Sequence, residues 1–89
     1  MITTMIEPTS PGEYLSDFME GRSNYSIAKE SGLSATQIGE IISGKRKITV
    51  LTALKLARVF GTSPELWMNL QTKYDLFKAA SEHPELVAV

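Results

Sequence analysis

The sequence predicts an all-α fold of five short helices packed into one compact domain. Three observations predict it. Glycines at 12, 21, 32, 44 and 61 and prolines at 8, 11, 64 and 84 punctuate the 89 residues at regular intervals. The stretches between them carry apolar residues at helical spacing, and none alternates apolar with polar residues as a half-buried strand does. A serine or threonine heads each stretch, where its side-chain oxygen can take up a free N–H of the first helical turn.

The first helix is expected from about Pro11 to Glu20. Ser10 can cap it, Pro11 suits its first turn, and Glu13 is spaced to complete a capping box. Tyr14, Leu15, Phe18 and Met19 form its apolar stripe, and Gly21 ends it. The second helix, Asn24 to Ser31, has Ser23 as its cap, turns Ile27 and Ala28 inward and stops at Gly32. The third follows at once. Ser34-Ala35-Thr36-Gln37 is a second capping box, Ile38, Ile41 and Ile42 are its apolar residues, and Gly44 closes it. With only Gly32–Ser34 between them, helices two and three must meet at a sharp angle. Ile48 packs under the Lys45–Lys47 loop. Thr49 caps a fourth helix lined by Ala53, Leu54, Ala57 and Phe60 and ended by Gly61. Ser63-Pro64-Glu65 starts a fifth that runs to about Ala80. Pro84 then closes off regular structure. Residues 1–89 thus read as one domain, with a short arm at 1–10 and a tail at 82–89.

Composition removes several functions. At 43% hydrophobic and 21% charged the chain is an ordinary globular one. It has no cysteine, so disulfides and thiolate metal sites are excluded. No apolar run approaches the roughly 18 residues of a membrane span. The start, MITTMIEPTS, lacks the basic and apolar regions of a secretion signal, so a cytoplasmic location is expected. The single histidine, His83, stands beside Pro84 in the tail. The carboxylates are dispersed and no glycine-rich phosphate loop occurs, so neither catalysis, nor a cofactor, nor a metal is expected.

The formal net charge is −1, but charge is polarised along the chain. Residues 1–21 hold four acids (Glu7, Glu13, Asp17, Glu20) and no base. Residues 44–58 hold five bases (Lys45, Arg46, Lys47, Lys55, Arg58) and no acid. A local basic patch matters more to a polyanion than the sum does.

That patch directly follows a helix-turn-helix signature. Where the third helix crosses the second a small residue is needed, and Ala28 fills the place. Four positions later the turn requires positive φ, and Gly32 stands there. Leu33, Ile38 and Ile41 then lock the pair onto a core. In this arrangement the third helix lies in the DNA major groove. Its outward positions are Ala35, Thr36, Gln37, Gly39, Glu40 and Ser43, next to the Ser34 cap. Gln37 can pair bidentately with adenine, and Thr36 can hydrogen-bond or touch a thymine methyl. Glu40 can accept from cytosine or partner Arg46. Lys45, Arg46 and Lys47 are placed for phosphates, as are Ser23, Asn24 and Tyr25 at the start of the second helix. Gly39 either admits a close approach of DNA or packs against a neighbour.

Several segments together resemble a known family. They are Pro11-Gly12-Glu13, Ala28 with Gly32, Gly44-Lys45-Arg46-Lys47-Ile48-Thr49, Ala53-Leu54-x-Leu56-Ala57, and Phe60-Gly61-Thr62-Ser63-Pro64-Glu65-x-Trp67-x-Asn69-Leu70-Gln71-x-x-Tyr74-Asp75-Leu76. This is similar to the HigA antitoxins, part of the XRE group that includes phage repressors and Cro. The last segment is the most specific. The resemblance implies a lambda-repressor-like fold and a dimer that binds operator DNA and represses its own operon. It also implies a partner, a RelE-like mRNA-cleaving toxin encoded by the adjacent gene. Thr36, Gln37 and the Lys45–Lys47 loop are the DNA contacts it carries over. Ala35 and Gly39 depart from residues often polar in the group, and Asn24 stands where glutamine is common.

The fifth helix points to a partner on its own terms. Leu66, Trp67, Met68, Leu70, Tyr74, Leu76, Phe77, Ala79 and Ala80 put apolar groups nearly all round it. Trp67 belongs to the core, and Leu70, Tyr74 and Phe77 are the residues expected to make a dimer contact. Two other functions stay open from the sequence: a stand-alone phage-type repressor without a toxin, and an interaction module that no longer binds DNA.

Overall fold

The computed structural model describes residues 7–87, so residues 1–6 of the expected arm and 88–89 of the expected tail lie outside it. Five α-helices follow one another: α1 (Pro11–Met19), α2 (Asn24–Ser31), α3 (Ala35–Ile42), α4 (Val50–Phe60) and α5 (Pro64–Glu82). No strand occurs among the described residues. α1 packs on α3 and α5, α2 on α3 and α4, and α4 on α5.

Every helix begins at the hydroxyl residue that the sequence offers. Ser10, Ser23, Ser34, Thr49 and Ser63 have extended backbone, and each side-chain oxygen accepts from the N–H three residues on. A full capping box closes only at α3, where Gln37 Oε1 accepts from Ser34 N at 2.9 Å. At α1 only the serine half forms, from Glu13 N to Ser10 Oγ at 3.2 Å; Glu13 itself is exposed. α1 also ends one residue early. Glu20, not Gly21, is its left-handed cap, at φ 50°. At the far end the chain is more regular than expected. α5 reaches Glu82, and Pro84–Leu86 adds a short 3-10 turn that packs on α5.

Leu15, Ile27, Ile38, Ala53, Leu56 and Trp67 have no exposed surface, and Met19, Leu33, Ile41, Ile48 and Ala57 complete the core. Trp67 is the largest of them. Its ring lies 5.2 Å from that of Phe18 and 5.9 Å from that of Phe60, in tilted aromatic contacts. Its indole N–H donates to Thr62 Oγ1 at 2.8 Å, so its one polar atom is satisfied. The described residues measure 48 × 22 × 20 Å. Beyond Asp75 most α5 residues are exposed, including Leu76, so the compact head comprises α1–α4 and the first half of α5. No described helix is long and apolar enough to cross a membrane.

Gly12 sets how close α1 comes to α3. It is buried in the first turn of α1, and a Cβ there would run into the backbone carbonyls of Ile41 and Ile42. Backbone cannot yield as a side-chain tip can. Gly12→Ala is therefore expected to lower the unfolding free energy by about 1–3 kcal/mol. Urea denaturation followed by circular dichroism measures this, and an unchanged midpoint would mean that α1 is not wedged against α3.

Candidate nucleic-acid interface

The α2–α3 corner is built as the sequence requires. Ala28 is half-buried against the core, and Gly32 takes φ 81° in the turn. Leu33, Ile38 and Ile41 are 6%, 0% and 1% exposed, so the whole inner face of α3 is fixed. Its outer face is then held rigidly towards solvent. Thr36, Glu40 and Ser43 follow one another at helical spacing on that side. Thr36 and Ser43 are exposed, whereas Ala35, Gln37, Gly39 and Glu40 are half-buried. Ser34 caps the helix, and Gln37, half-buried at the edge of that face, sits in the capping box with its carbonyl turned back to Ser34 N.

Asn24 reaches this surface from α2. A Cβ built on Gly39 would lie 3.4 Å from Asn24 Nδ2, an ordinary contact, so Gly39 faces Asn24 and no crowding forces glycine there. Tyr25, 74% exposed, stands beside it on the first turn of α2.

The basic loop is fastened to the end of α3. Gly44 adopts φ 84°, a left-handed conformation that glycine takes without penalty. This lets Lys45 N donate to Glu40 O at 2.8 Å and Gly44 N to Ile41 O at 3.2 Å, the paired bonds of a Schellman cap. Arg46 N and Ser43 Oγ also donate to the Glu40 carbonyl. Glu40 holds the loop by its side chain as well. Arg46 Nε and a terminal nitrogen both lie 2.9 Å from Glu40 Oε1. Of the two roles open to Glu40, the structure thus forms the pairing with Arg46. Lys47 Nζ lies 3.5 Å from Asp75 Oδ2, and Lys45 pairs with no carboxylate among the described residues. These pairs are largely exposed and weak, so a phosphate can replace either carboxylate.

Ser34, Thr36, Gln37, Glu40, Ser43 and the three loop cations therefore form one continuous surface, flanked by Asn24 and Tyr25. The α5 residues behave differently. Leu70 packs against the core, and Tyr74 and Phe77 are half-buried. Among the described residues the large exposed apolar side chains are Tyr25 on α2, Val50, Leu51 and Leu54 on α4, Leu76 on α5, and Leu86 and Val87 after it. Leu54, expected on the inner face of α4, is 51% exposed, and Leu56 takes the core position instead. Gln71 and Asp75 touch the loop from behind, a role not read from the sequence. Its one trace there is the spacing, since 67, 71 and 75 fall on one side of a helix whose first member is a buried tryptophan. No cluster of three or more metal-ligating side chains occurs among the described residues.

The sequence profile of the helix-turn-helix family matches residues 17–67. Virulence-associated protein I of Dichelobacter nodosus is 40% identical over 75 residues, which is 81% of this chain and 69% of that protein. Antitoxin HigA-1 of Vibrio cholerae is 32% identical over 88 residues, 96% of this chain and 83% of the antitoxin. Among solved structures, antitoxin HigA of Pseudomonas aeruginosa with the higBA promoter superposes with a TM-score of 0.82 at 35% identity, covering 90% of each chain.

The capping box at α3 gives a direct test of the local geometry. Ser34→Ala removes the acceptor for Gln37 N and is expected to destabilise the domain by about 1 kcal/mol. The same change at the exposed Ser16 inside α1, which caps nothing, should instead raise the thermal midpoint slightly, because alanine is the better helix former.

Proposed function

The chain belongs to the helix-turn-helix family and to its HigA-type antitoxins, and from that membership we propose that it binds operator DNA as a two-fold dimer, represses its own operon and neutralises a toxin encoded beside it. The observation that carries the proposal is the continuous surface of the α3 outer face and the three-cation loop, two kinds of group that double-stranded DNA needs together. A relative solved with promoter DNA shares this fold over nine-tenths of its length. Antitoxins and helix-turn-helix transcriptional regulators are among the similar proteins.

In this reading Thr36 and Gln37 meet base edges. The Gln37 carbonyl already accepts from Ser34 N, but its second lone pair and its amide N–H groups remain for an adenine. Ser34 and Ser43 flank the reading positions. Lys45, Arg46 and Lys47 take phosphates on one side of the groove, Asn24 and Tyr25 on the other. The toxin is of the RelE-like, mRNA-cleaving type that the family resemblance implies. The protein acts where the DNA is, in the cytoplasm.

We assign the dimer contact first to Val50, Leu51 and Leu54, ahead of Leu70, Tyr74 and Phe77. These three are 65%, 61% and 51% exposed on adjoining turns and begin just after the basic loop. A two-fold axis there keeps both reading helices on one side of the duplex, as paired half-sites require.

Gel shifts with a duplex from the gene's upstream region test the DNA assignment. Replacing Lys45 and Arg46 by alanine should weaken binding to every sequence and lower the salt slope by about one unit per lost contact per subunit. Gln37→Ala should leave the slope alone and relax discrimination at one base pair by roughly 1–3 kcal/mol. If upstream and random duplexes bind equally at moderate salt, the protein is not an operator repressor.

Light scattering tests the assembly. The chain should run as a dimer at micromolar concentration, and Leu51→Ser with Leu54→Ser as a monomer. Co-expression with the neighbouring open reading frame separates the antitoxin from a stand-alone phage-type repressor: a stable complex, and relief of growth arrest, are expected only for the antitoxin.

A further inference from the structure

The segment that distinguishes this chain within the helix-turn-helix group lies on α5, away from the α3 reading face, and the DNA assignment gives it nothing to do. Its polar members are not idle. Gln71 is only 7% exposed, one turn beyond the buried Trp67. Its Oε1 accepts from the backbone N of Ile48 at 2.9 Å, across 23 residues of sequence, in a buried bond. Its Nε2 donates to Asp75 Oδ1 at 2.9 Å. The other carboxylate oxygen of Asp75 faces Lys47 Nζ at 3.5 Å.

We propose that Gln71, oriented by Asp75, is a positioning residue for the DNA-contact loop: the pair fixes the loop's trailing end from behind and sets where Lys47 stands. This rests on reading the loop as the DNA surface. The physical case is as follows. Residues 43–48 are held at their leading end by the Gly44 cap and by Glu40. At the trailing end the Ile48 side chain is buried, but a buried side chain alone leaves its peptide free to rotate. The Ile48 N–H is the one backbone group there with a side-chain partner, and that partner is Gln71. An amide can be seated either way round. Asp75 accepts from its NH2 end and so keeps the carbonyl end towards Ile48. The carboxylate has a second effect of opposite sign, because it competes with phosphate for Lys47. Both residues line a groove of about 250 Å³ that also borders Arg46 and Lys47, so Asp75 is reached by solvent.

Three variants of the full chain separate these effects. Gln71→Met keeps the volume and removes the bond to Ile48. Asp75→Asn keeps the oxygen that accepts from Gln71 and removes the charge. Asp75→Ala removes both. The first readout needs no DNA, namely hydrogen exchange at the Ile48 amide. It should be protected in the parent chain and in Asp75→Asn, and exchange at least tenfold faster in Gln71→Met and Asp75→Ala. The second is anisotropy titration of the upstream duplex at several salt concentrations, at a temperature where circular dichroism shows each variant folded. Asp75→Asn should bind more tightly than the parent, with a salt slope steeper by up to about one unit per subunit. Asp75→Ala should bind at least threefold more weakly than Asp75→Asn, although both lack the charge. Equal affinity of those two variants, or unchanged Ile48 protection in Gln71→Met, overturns the proposal. Should Gln71→Met fail to fold, the comparison of the two Asp75 variants decides alone. Changed Ile48 exchange in a chain that binds no duplex would sink the DNA reading and leave the clamp standing.

Discussion

Burial of Trp67 is the constraint on which the rest of the molecule depends. It has no exposed surface, and its ring joins α1 through Phe18 to the end of α4 through Phe60. Burying a side chain of this size contributes several kcal/mol, a large share of the net stability of a domain with so small a core. Because α5 is a rigid rod, seating Trp67 also decides where its next turns lie. Gln71 comes under the α3–α4 loop and Asp75 beside Lys47. Thus a core contact away from the outer face of α3 places the two side chains that meet the trailing end of the loop.

Charge works in the same local manner. The formal net charge of −1 gives no attraction to a polyanion over long range. The loop nonetheless presents three cations within three residues, and two of them are held by carboxylates, Arg46 by Glu40 and Lys47 by Asp75. An exposed ion pair is worth at most about 1 kcal/mol, so exchanging carboxylate for phosphate costs little. What the pairs do is keep two long side chains from sampling all rotamers, so less entropy is lost when a phosphate arrives.

Much of this was legible in the sequence, for a local reason. Caps and stops are decided within four residues, and so Ser10, Ser23, Ser34, Thr49 and Ser63 could be identified by position, as could Gly32 and Gly61. The inner face of α3 was equally clear, because Ile38 and Ile41 at helical spacing leave no other side to bury. Two departures fall at α1. Glu13 lies exposed outside a box that its spacing permits, and Glu20 takes a left-handed turn one residue before an available glycine. Asn69, Gln71 and Asp75 read from the sequence as groups able to hydrogen-bond at the α5 end of the fold, but not to what. A buried glutamine is recognisable only once its partner is known, and Ile48 is 23 residues away. Leu70 packs on the domain's own core, and periodicity alone cannot say which side of an apolar helix the domain itself covers.

The short reading helix leads to a last consequence. α3 has eight residues, and few of its side chains can specify bases, with Thr36 and Gln37 the best placed. A good bidentate contact discriminates by about 1–3 kcal/mol. Of the two only Gln37 can bond in that way, so together they give at most about 6 kcal/mol, whereas an operator is usually preferred over random DNA by about 4–10 kcal/mol. One copy therefore falls short over most of that range, and two copies on a symmetric site span it. Ala35, which offers only a methyl, and Gly39, which offers nothing, make the shortfall larger than in a helix with polar groups at those places. Under the proposed assignment specificity is thus tied to self-association, and the exposed apolar turns of α4, directly after the cationic loop, are where such a contact costs the proposed reading surface least.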